Sequence, residues 1–470
     1  MTVPHVAVVG GGVSGLAAAY RLRRLLPSGA RITVLEGSSR IGGALRTTEL
    51  AGVPFDVGAE AFLVRRREAR ALATELGLGA GLVHPTPAGP TVRAGGRTVP
   101  LPSRTMLGLP GSPDDVAGVL SPEGLARVAA EPGTPLRWEP GSDAAVGALL
   151  RSRAGDELVD RLVDPLLGGV YAGRADALGL RATLPAVATA LDHGAPSLLA
   201  AAATVLPAPG APSTPVFGTL RGGLGRLVDA LAAAATTVRC GLPVRALVRR
   251  AHGWRLELGS AAAPEVLDVD AVLLAVPPPA LRRLLAGPLP AASTAAARVE
   301  VASSVVVGLA LPAAAAQRLP AASGVLVGSG ESHAAKAFTY SSRKWSHLRH
   351  PGVLLVRGSL GRHGAGGTST PPALHRDDAE LVAAVRADLA ALTGIDTEPV
   401  DTLVARWGGG LPQYAPGHLD AVAAIESAVG TQPGLAVAGA TLHGVGIPAC
   451  IATADAAAAR IAAQLAARVG

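Results

Sequence analysis

The chain has 470 residues, nearly half of them apolar, and a formal charge of +7 from 42 Lys and Arg against 35 Asp and Glu. That length exceeds what one core can serve, so two or three domains are expected. The basic balance admits a nucleic acid or an anionic membrane as partner. The arginines are nevertheless dispersed and no aromatic-interleaved basic patch occurs, which excludes nucleic acid and leaves a small polyanionic substrate.

Ala, Gly, Pro and Arg abound, aromatic residues are scarce, and Lys336 and Lys344 are the only lysines. This is the composition of a GC-rich codon bias, so alanine content carries little structural information. Cys240 and Cys450 are far apart and lack metal spacing, which predicts two free thiols in a reducing compartment. The first strand begins within the opening residues, leaving no room for a signal peptide, so a cytoplasmic location is expected. The uncharged runs Val301 to Gln317 and Gly434 to Ala454 are too short or too interrupted by Pro and Gly to span a bilayer. Peripheral membrane contact and the oligomeric state stay open. His333, His347, His350 and His363 fit no metal-ligand spacing, and no metal site is expected.

In chain order, an apolar strand (Val6 to Val9) runs into Gly10, Gly11, Gly12, Val13, Ser14 and Gly15 and then an Ala/Leu helix. A second strand (Arg31 to Leu35) ends at Glu36, about 20 residues beyond the glycines. Tight turns also collect glycine, so the fingerprint alone says little. Strand, glycines, helix, second strand and acid in this order predict a dinucleotide site: Gly10 for the turn, Gly12 for close approach of a pyrophosphate, Gly15 for helix packing and Glu36 for a ribose.

Further along, Arg67 to Leu78 reads as a helix and Thr91 to Leu101 as a hairpin around Gly95 and Gly96. Helical segments follow at Asp114 to Leu120, Pro122 to Ala130, Asp143 to Leu150 and Asp156 to Leu166. Ala200 to Pro215 reads as a loose connection. Leu227 to Ala235 is a helix, and Val244 to Arg249, Trp254 to Leu258 and Ala271 to Val276 are strands, the last halted by prolines. More strands are expected at Ser304 to Leu311, Gly324 to Val327, Ala337 to Tyr340 and Val353 to Leu360, then a helix over Asp377 to Leu392. The chain closes on a strand, a Gly-rich turn and a helix.

The segment Arg40 to Arg46, RIGGALR, resembles the flavoprotein group that includes amine oxidases, phytoene desaturases and porphyrinogen oxidases. The resemblance narrows at Gly168 to Gly173, GGVYAG, with Leu178 and Pro185 in family spacing and Gly179 where serine is usual. Thr219 to Leu231, Thr339 to His347, Ala405 to His418 and Gly444 to Ile451 also match, in family order over nearly the whole chain. Together they resemble the porphyrinogen oxidases of haem synthesis, above all the Gram-positive form that acts on coproporphyrinogen III. The resemblance implies an α/β, amine-oxidase-like flavoprotein with a discontinuous Rossmann-like FAD-binding domain (1–85, 216–298 and 400–470). It implies also a mixed-sheet substrate domain (86–108 and 299–399) and an inserted helical domain (109–215).

The implied activity is oxygen-using oxidation of coproporphyrinogen III to coproporphyrin III with release of hydrogen peroxide, the product passing to a later enzyme of haem synthesis. The flavin carries that chemistry, so no catalytic dyad is expected. Noncovalent FAD is implied to touch Gly10 to Gly15, Glu36, Gly42, Gly43, Ala44, Arg46, Gly58, Ala59, Glu60, Ala61, Val244, Trp407, Val445, Gly446 and Ile447. Without the family match the alternative for Trp407 is an ordinary core tryptophan, and Cys450 reads as a packed thiol. For the substrate, an apolar slot with cationic rims is expected, from Gly169 and Tyr171 as walls and Arg66, Arg104, Arg174 and Lys344 as charges. Ala61, Arg66, Ala449 and Ala454 depart from common family residues. A protoporphyrinogen IX oxidase and a noncatalytic porphyrin carrier are the rival readings. An amine oxidase would lack GGVYAG and need an aromatic cage that this composition scarcely supplies.

Overall fold

The computed structural model describes residues 3–208, 215–235, 237–364 and 373–468. Its first layer is a five-stranded parallel sheet in the order Thr237–Arg239, Arg31–Leu35, His5–Val9, Ala271–Leu274, Leu435–Val437. Alternation along the central strand decides what covers each face. Val6 and Val8 pack with the helices Val13–Leu25 and Ile447–Ala466. Ala7 and Val9 turn the other way, onto an antiparallel meander (Val244–Arg250, Gly253–Ser260, Ala263–Val269) and the helices Pro278–Leu285 and Pro290–Ala297.

The second layer is a seven-stranded sheet in the order Asp401–Pro412, Val301–Pro312, Val353–Leu360, Ala335–Thr339, Gly324–Val327, Pro90–Ala94, Arg97–Pro100. The helix Asp378–Thr393 covers one face through Leu381, Val385 and Leu389. The strand Asp401–Pro412, expected with the FAD-binding part, belongs to this sheet: it is hydrogen-bonded along Val301–Pro312 from Asp401 to Pro412.

Between residues 109 and 206 the chain is helical, with its own core. The segment expected over Asp114 to Leu120 is a single 3-10 turn, Pro113–Val116, and the run from Asp156 passes through a π turn, Val159–Val163, before the helix Asp164–Tyr171. The stretch from Ala200, read as loose, instead contains most of a helix, Leu198–Val205; residues 209–214 lie outside the described range. Ser197 caps that helix, and the fully buried Glu131 accepts the amide hydrogens of Leu198 and Leu199 at 2.9 and 3.2 Å while pairing with Arg153 at 2.7 Å. A long-range acid thus organises a helix start that composition hides. Among the described residues no helix is long and apolar enough to cross a membrane.

Candidate cofactor and substrate site

The glycine turn is built by contact. A Cβ on Gly10, which sits at φ +106°, would lie 2.2 Å from the Ala275 carbonyl oxygen, and one on Gly15 would lie 1.8 Å from that of Gly10. Gly12 differs: its nearest neighbour would be Gly43 Cα at 3.9 Å, so the space before it is open. Gly12 caps the helix Val13–Leu25 with no side-chain bond, leaving the first-turn amides of Val13, Ser14 and Gly15 free of a side-chain acceptor. Such a terminus favours an anion.

Glu36 stands at the end of the second strand and accepts the Gly11 N–H at 2.7 Å on one oxygen and the Ser38 N–H at 2.7 Å on the other. Each oxygen keeps a second lone pair for a hydroxyl donor. Residues 239–242 run alongside, with the Glu36 N–H donating to the Arg239 carbonyl at 2.8 Å and the Leu242 N–H to the Glu36 carbonyl at 3.0 Å, and the chain continues to the buried Val244, whose carbonyl accepts from Arg283 at 3.1 Å.

A second ridge faces the first. Gly42 donates its N–H to Gly11 at 2.8 Å, and Gly43 closes against Gly12. The next residues pair with 57–59: the Val57 N–H donates to Arg46 at 3.0 Å and the Ala59 N–H to Ala44 at 2.9 Å. Trp407 donates its indole N–H to the Val57 carbonyl at 2.8 Å, and its ring would meet a Cβ on Gly58 at 3.0 Å. Arg40 lies over that ring at 5.5 Å, and the Arg46 side chain is exposed.

The turn Gly444, Val445, Gly446 leads into the last helix, which also begins without a side-chain cap. Tyr414 holds this turn, donating to Ala440 at 2.6 Å and accepting the Gly444 N–H at 2.9 Å. Cys450 is buried in the same helix start, its thiol pushed up to about 11 chiefly by burial. Two uncapped helix starts, the open space before Gly12 and an acid with spare lone pairs form a cradle that fits a flavin adenine dinucleotide.

Beyond Gly58 the site becomes charged. Glu60 pairs with Lys344, and Arg357 lies 3.5 Å away. Burial works against its ionisation, but Lys344 and Arg357 outweigh that and hold the carboxyl below the usual range. Arg357 also donates to the Gly58 carbonyl at 2.7 Å. Across from this wall the helix Asp164–Tyr171 packs on the seven-stranded sheet. Gly169 is exposed, and a Cβ there would meet only Leu326 at 3.8 Å. Tyr171, expected beside it as a wall, faces elsewhere. Two residues on along a helix is about 200° round it, and the Tyr171 ring is buried 5.5 Å from Tyr414.

Of the expected cations, Lys344 joins this group and Arg174 lies close enough to Arg362 to act on its charge. Arg66 and Arg104 are not brought to it: Arg66 pairs with Glu68 at 3.4 Å and Arg104 with Asp115 at 3.2 Å. Sequence reading missed Arg357, Arg362 and Lys336, which stand on neighbouring strands or just past them and meet only through sheet register. The one signal available was that Lys336 is one of two lysines.

A family model described as flavin containing amine oxidoreductase matches residues 13–462. The chain is 45% identical over 457 residues to the coproporphyrinogen III oxidase of Mycobacterium tuberculosis (strain ATCC 25618 / H37Rv), covering 97% of this chain and 96% of that one. It is 30% identical over 459 residues to that of Bacillus subtilis (strain 168), covering 95% of each. Among solved structures, a protein from Exiguobacterium sp. 255-15, provisionally named a protoporphyrinogen oxidase, superposes with a TM-score of 0.84 at 28% identity, covering 99% of this chain and 100% of that one.

Proposed function

The chain belongs to the family of flavin containing amine oxidoreductases, and on that premise we propose that it oxidises coproporphyrinogen III to coproporphyrin III in haem synthesis. It is an FAD-dependent oxidoreductase. The observation that carries the substrate is the 45% identity, over 97% of the chain, to a relative named for it. Molecular oxygen is the final electron acceptor and hydrogen peroxide the by-product, and the porphyrin passes to a later enzyme of the same pathway. Two free thiols, Cys240 exposed and Cys450 buried, support a reducing compartment such as the cytoplasm.

When bound, FAD supplies the two-electron acceptor for each of three rounds. The first-turn amides after Gly12 hold the pyrophosphate, Glu36 holds a ribose, and the turn from Val445 to Ile447 together with Trp407 borders the ring system. Gly169 leaves room for a flat macrocycle to lie against the helix Asp164–Tyr171. Exposed Val170 adds apolar surface, and Arg174 and Lys344 meet the propionates at the rim. The three-part division serves this arrangement, with the nucleotide-binding part on one side of the slot and the sheet and helical parts on the other.

Purified yellow protein supplied separately with coproporphyrinogen III and protoporphyrinogen IX under air tests the reading by growth of porphyrin fluorescence and by peroxide release. A preference for the four-carboxylate substrate is expected. Preference for protoporphyrinogen would move the enzyme to the rival substrate, and silence on both with bound flavin would leave a porphyrin carrier.

A further inference from the structure

We propose that Lys336, flanked by Arg357 and Arg362, is the anchoring point for one carboxylate of the porphyrinogen on the sheet floor of the slot. The inference rests on the porphyrinogen oxidase reading and adds a residue to it.

Register fixes which way these side chains face. A Cβ on Gly358 would lie 2.6 Å from Val385 and 3.4 Å from Phe338, so positions 338 and 358 face the covering helix Asp378–Thr393. Their neighbours Arg357 and Thr339, paired across the strands, face the opposite side. The pairing slips between Ala335 and Ala337, making Lys336 the bulged residue, and a bulge re-aims its side chain.

The flanking guanidiniums mark the two walls. Arg357 donates to Gly58 on the cofactor side. Arg362 donates to Asp164 at 2.7 Å, and its guanidinium lies 3.4 Å from where a Cβ on Gly168 would stand, at the macrocycle wall. Lys336 lies between their fields, deep in the molecule but half-buried rather than sealed, and donates to the Gly361 carbonyl at 2.8 Å.

The charges do not balance. Glu60 answers Lys344 and Arg357, and Asp164 answers Arg362, with Arg174 adding to the positive field. Among the described residues no carboxylate pairs with Lys336. Asp388 accepts the Ala335 N–H at 2.7 Å from the covering helix, and His363 pairs with Glu300 at 2.8 Å. Burial, then Arg362 and Arg357, lower the ammonium to about 7. An anion arriving there relieves this cost. In a chain with 42 cationic residues the only two lysines both stand by Arg357, Lys344 through the shared Glu60 and Lys336 through like charge. A compact, titratable ammonium differs from guanidinium in both respects.

The test titrates FAD-loaded protein with coproporphyrin III, the stable product, between about pH 6 and about pH 9 by porphyrin fluorescence. In the wild type the dissociation constant should stay flat to about pH 7 and then rise toward tenfold per unit, because binding must first protonate Lys336. Lys336→Met should weaken binding about 10- to 100-fold near pH 6.5 and abolish the rise. Lys336→Arg should retain most of the affinity and also abolish the rise, since arginine does not titrate there. Unchanged affinity in Lys336→Met, or a rise that persists in both flavin-loaded variants, overturns the anchoring role while wild-type turnover leaves the enzyme reading intact. A wild type that neither binds coproporphyrin III nor oxidises its porphyrinogen overturns both.

Discussion

Gly58→Ala isolates the joint between the two ridges of the cofactor cradle. The added methyl would lie 1.9 Å from the Ala44 carbonyl oxygen and 3.0 Å from the Trp407 ring. A carbon rests about 3.3 Å from such an oxygen, so one strand must retreat by about 1.4 Å. That retreat breaks the Val57 to Arg46 bond at 3.0 Å, the Ala59 to Ala44 bond at 2.9 Å and the Trp407 to Val57 bond at 2.8 Å. At about 1 kcal/mol net each the loss is about 3 kcal/mol of folding stability, and FAD binding weakens because the displaced ridge no longer matches it. The assay is the ratio of flavin to protein absorbance after desalting, followed by titration with added FAD. A variant that emerges fully yellow with wild-type affinity would refute the steric argument, because no flexible side chain stands between the methyl and the Ala44 backbone.

Gly169→Leu should keep the flavin but raise KM for coproporphyrinogen III, since the position is open except for Leu326 at 3.8 Å; an unchanged KM would move the slot elsewhere. Asp56 is raised to about 6, first by burial. Its folded value lies above the roughly 3.9 of the unfolded chain, so its contribution to stability is full below about pH 4 and lost as pH climbs through 6. Asp56→Asn keeps an acceptor for Thr47 and Leu224 and should gain about 2–3 kcal/mol over the wild type between pH 4 and pH 7 in urea unfolding. A difference that does not change with pH would count against this. A disulfide reagent at about pH 8 should modify exposed Cys240 rapidly and spare Cys450, whose thiol burial pushes up to about 11. Rapid reaction of both in the native protein would contradict that packing.

Local patterns made half of this structure legible. The turn from Gly10 to Gly15 and the acid Glu36 are close in sequence and obey backbone rules that any such site must follow. The prolines after Val276 do follow the end of a strand, Ala271–Leu274, and prolines also open two helices that the pattern leaves unmarked, Pro278–Leu285 and Pro290–Ala297. The strand Ala263–Val269 lies mostly exposed at the edge of its meander, so little hydrophobic pattern marks it. The cationic floor was illegible for a different reason. Lys336, Arg357 and Arg362 are brought together by antiparallel register and one bulge, which no local window contains.

The parallel sheet takes its central strand from residues 5–9 and its edge strand from 435–437, and the first helix lies against the last. A ribosome adding 5–20 residues per second needs roughly 20–90 s to bring the second set out after the first. Throughout that interval the first helix lacks the last helix it packs against, and the turn from Gly444 to Ile447 does not exist. Flavin capture is thus expected to await completed translation, and a chain terminated before residue 435, which carries the nucleotide fingerprint, should stay colourless.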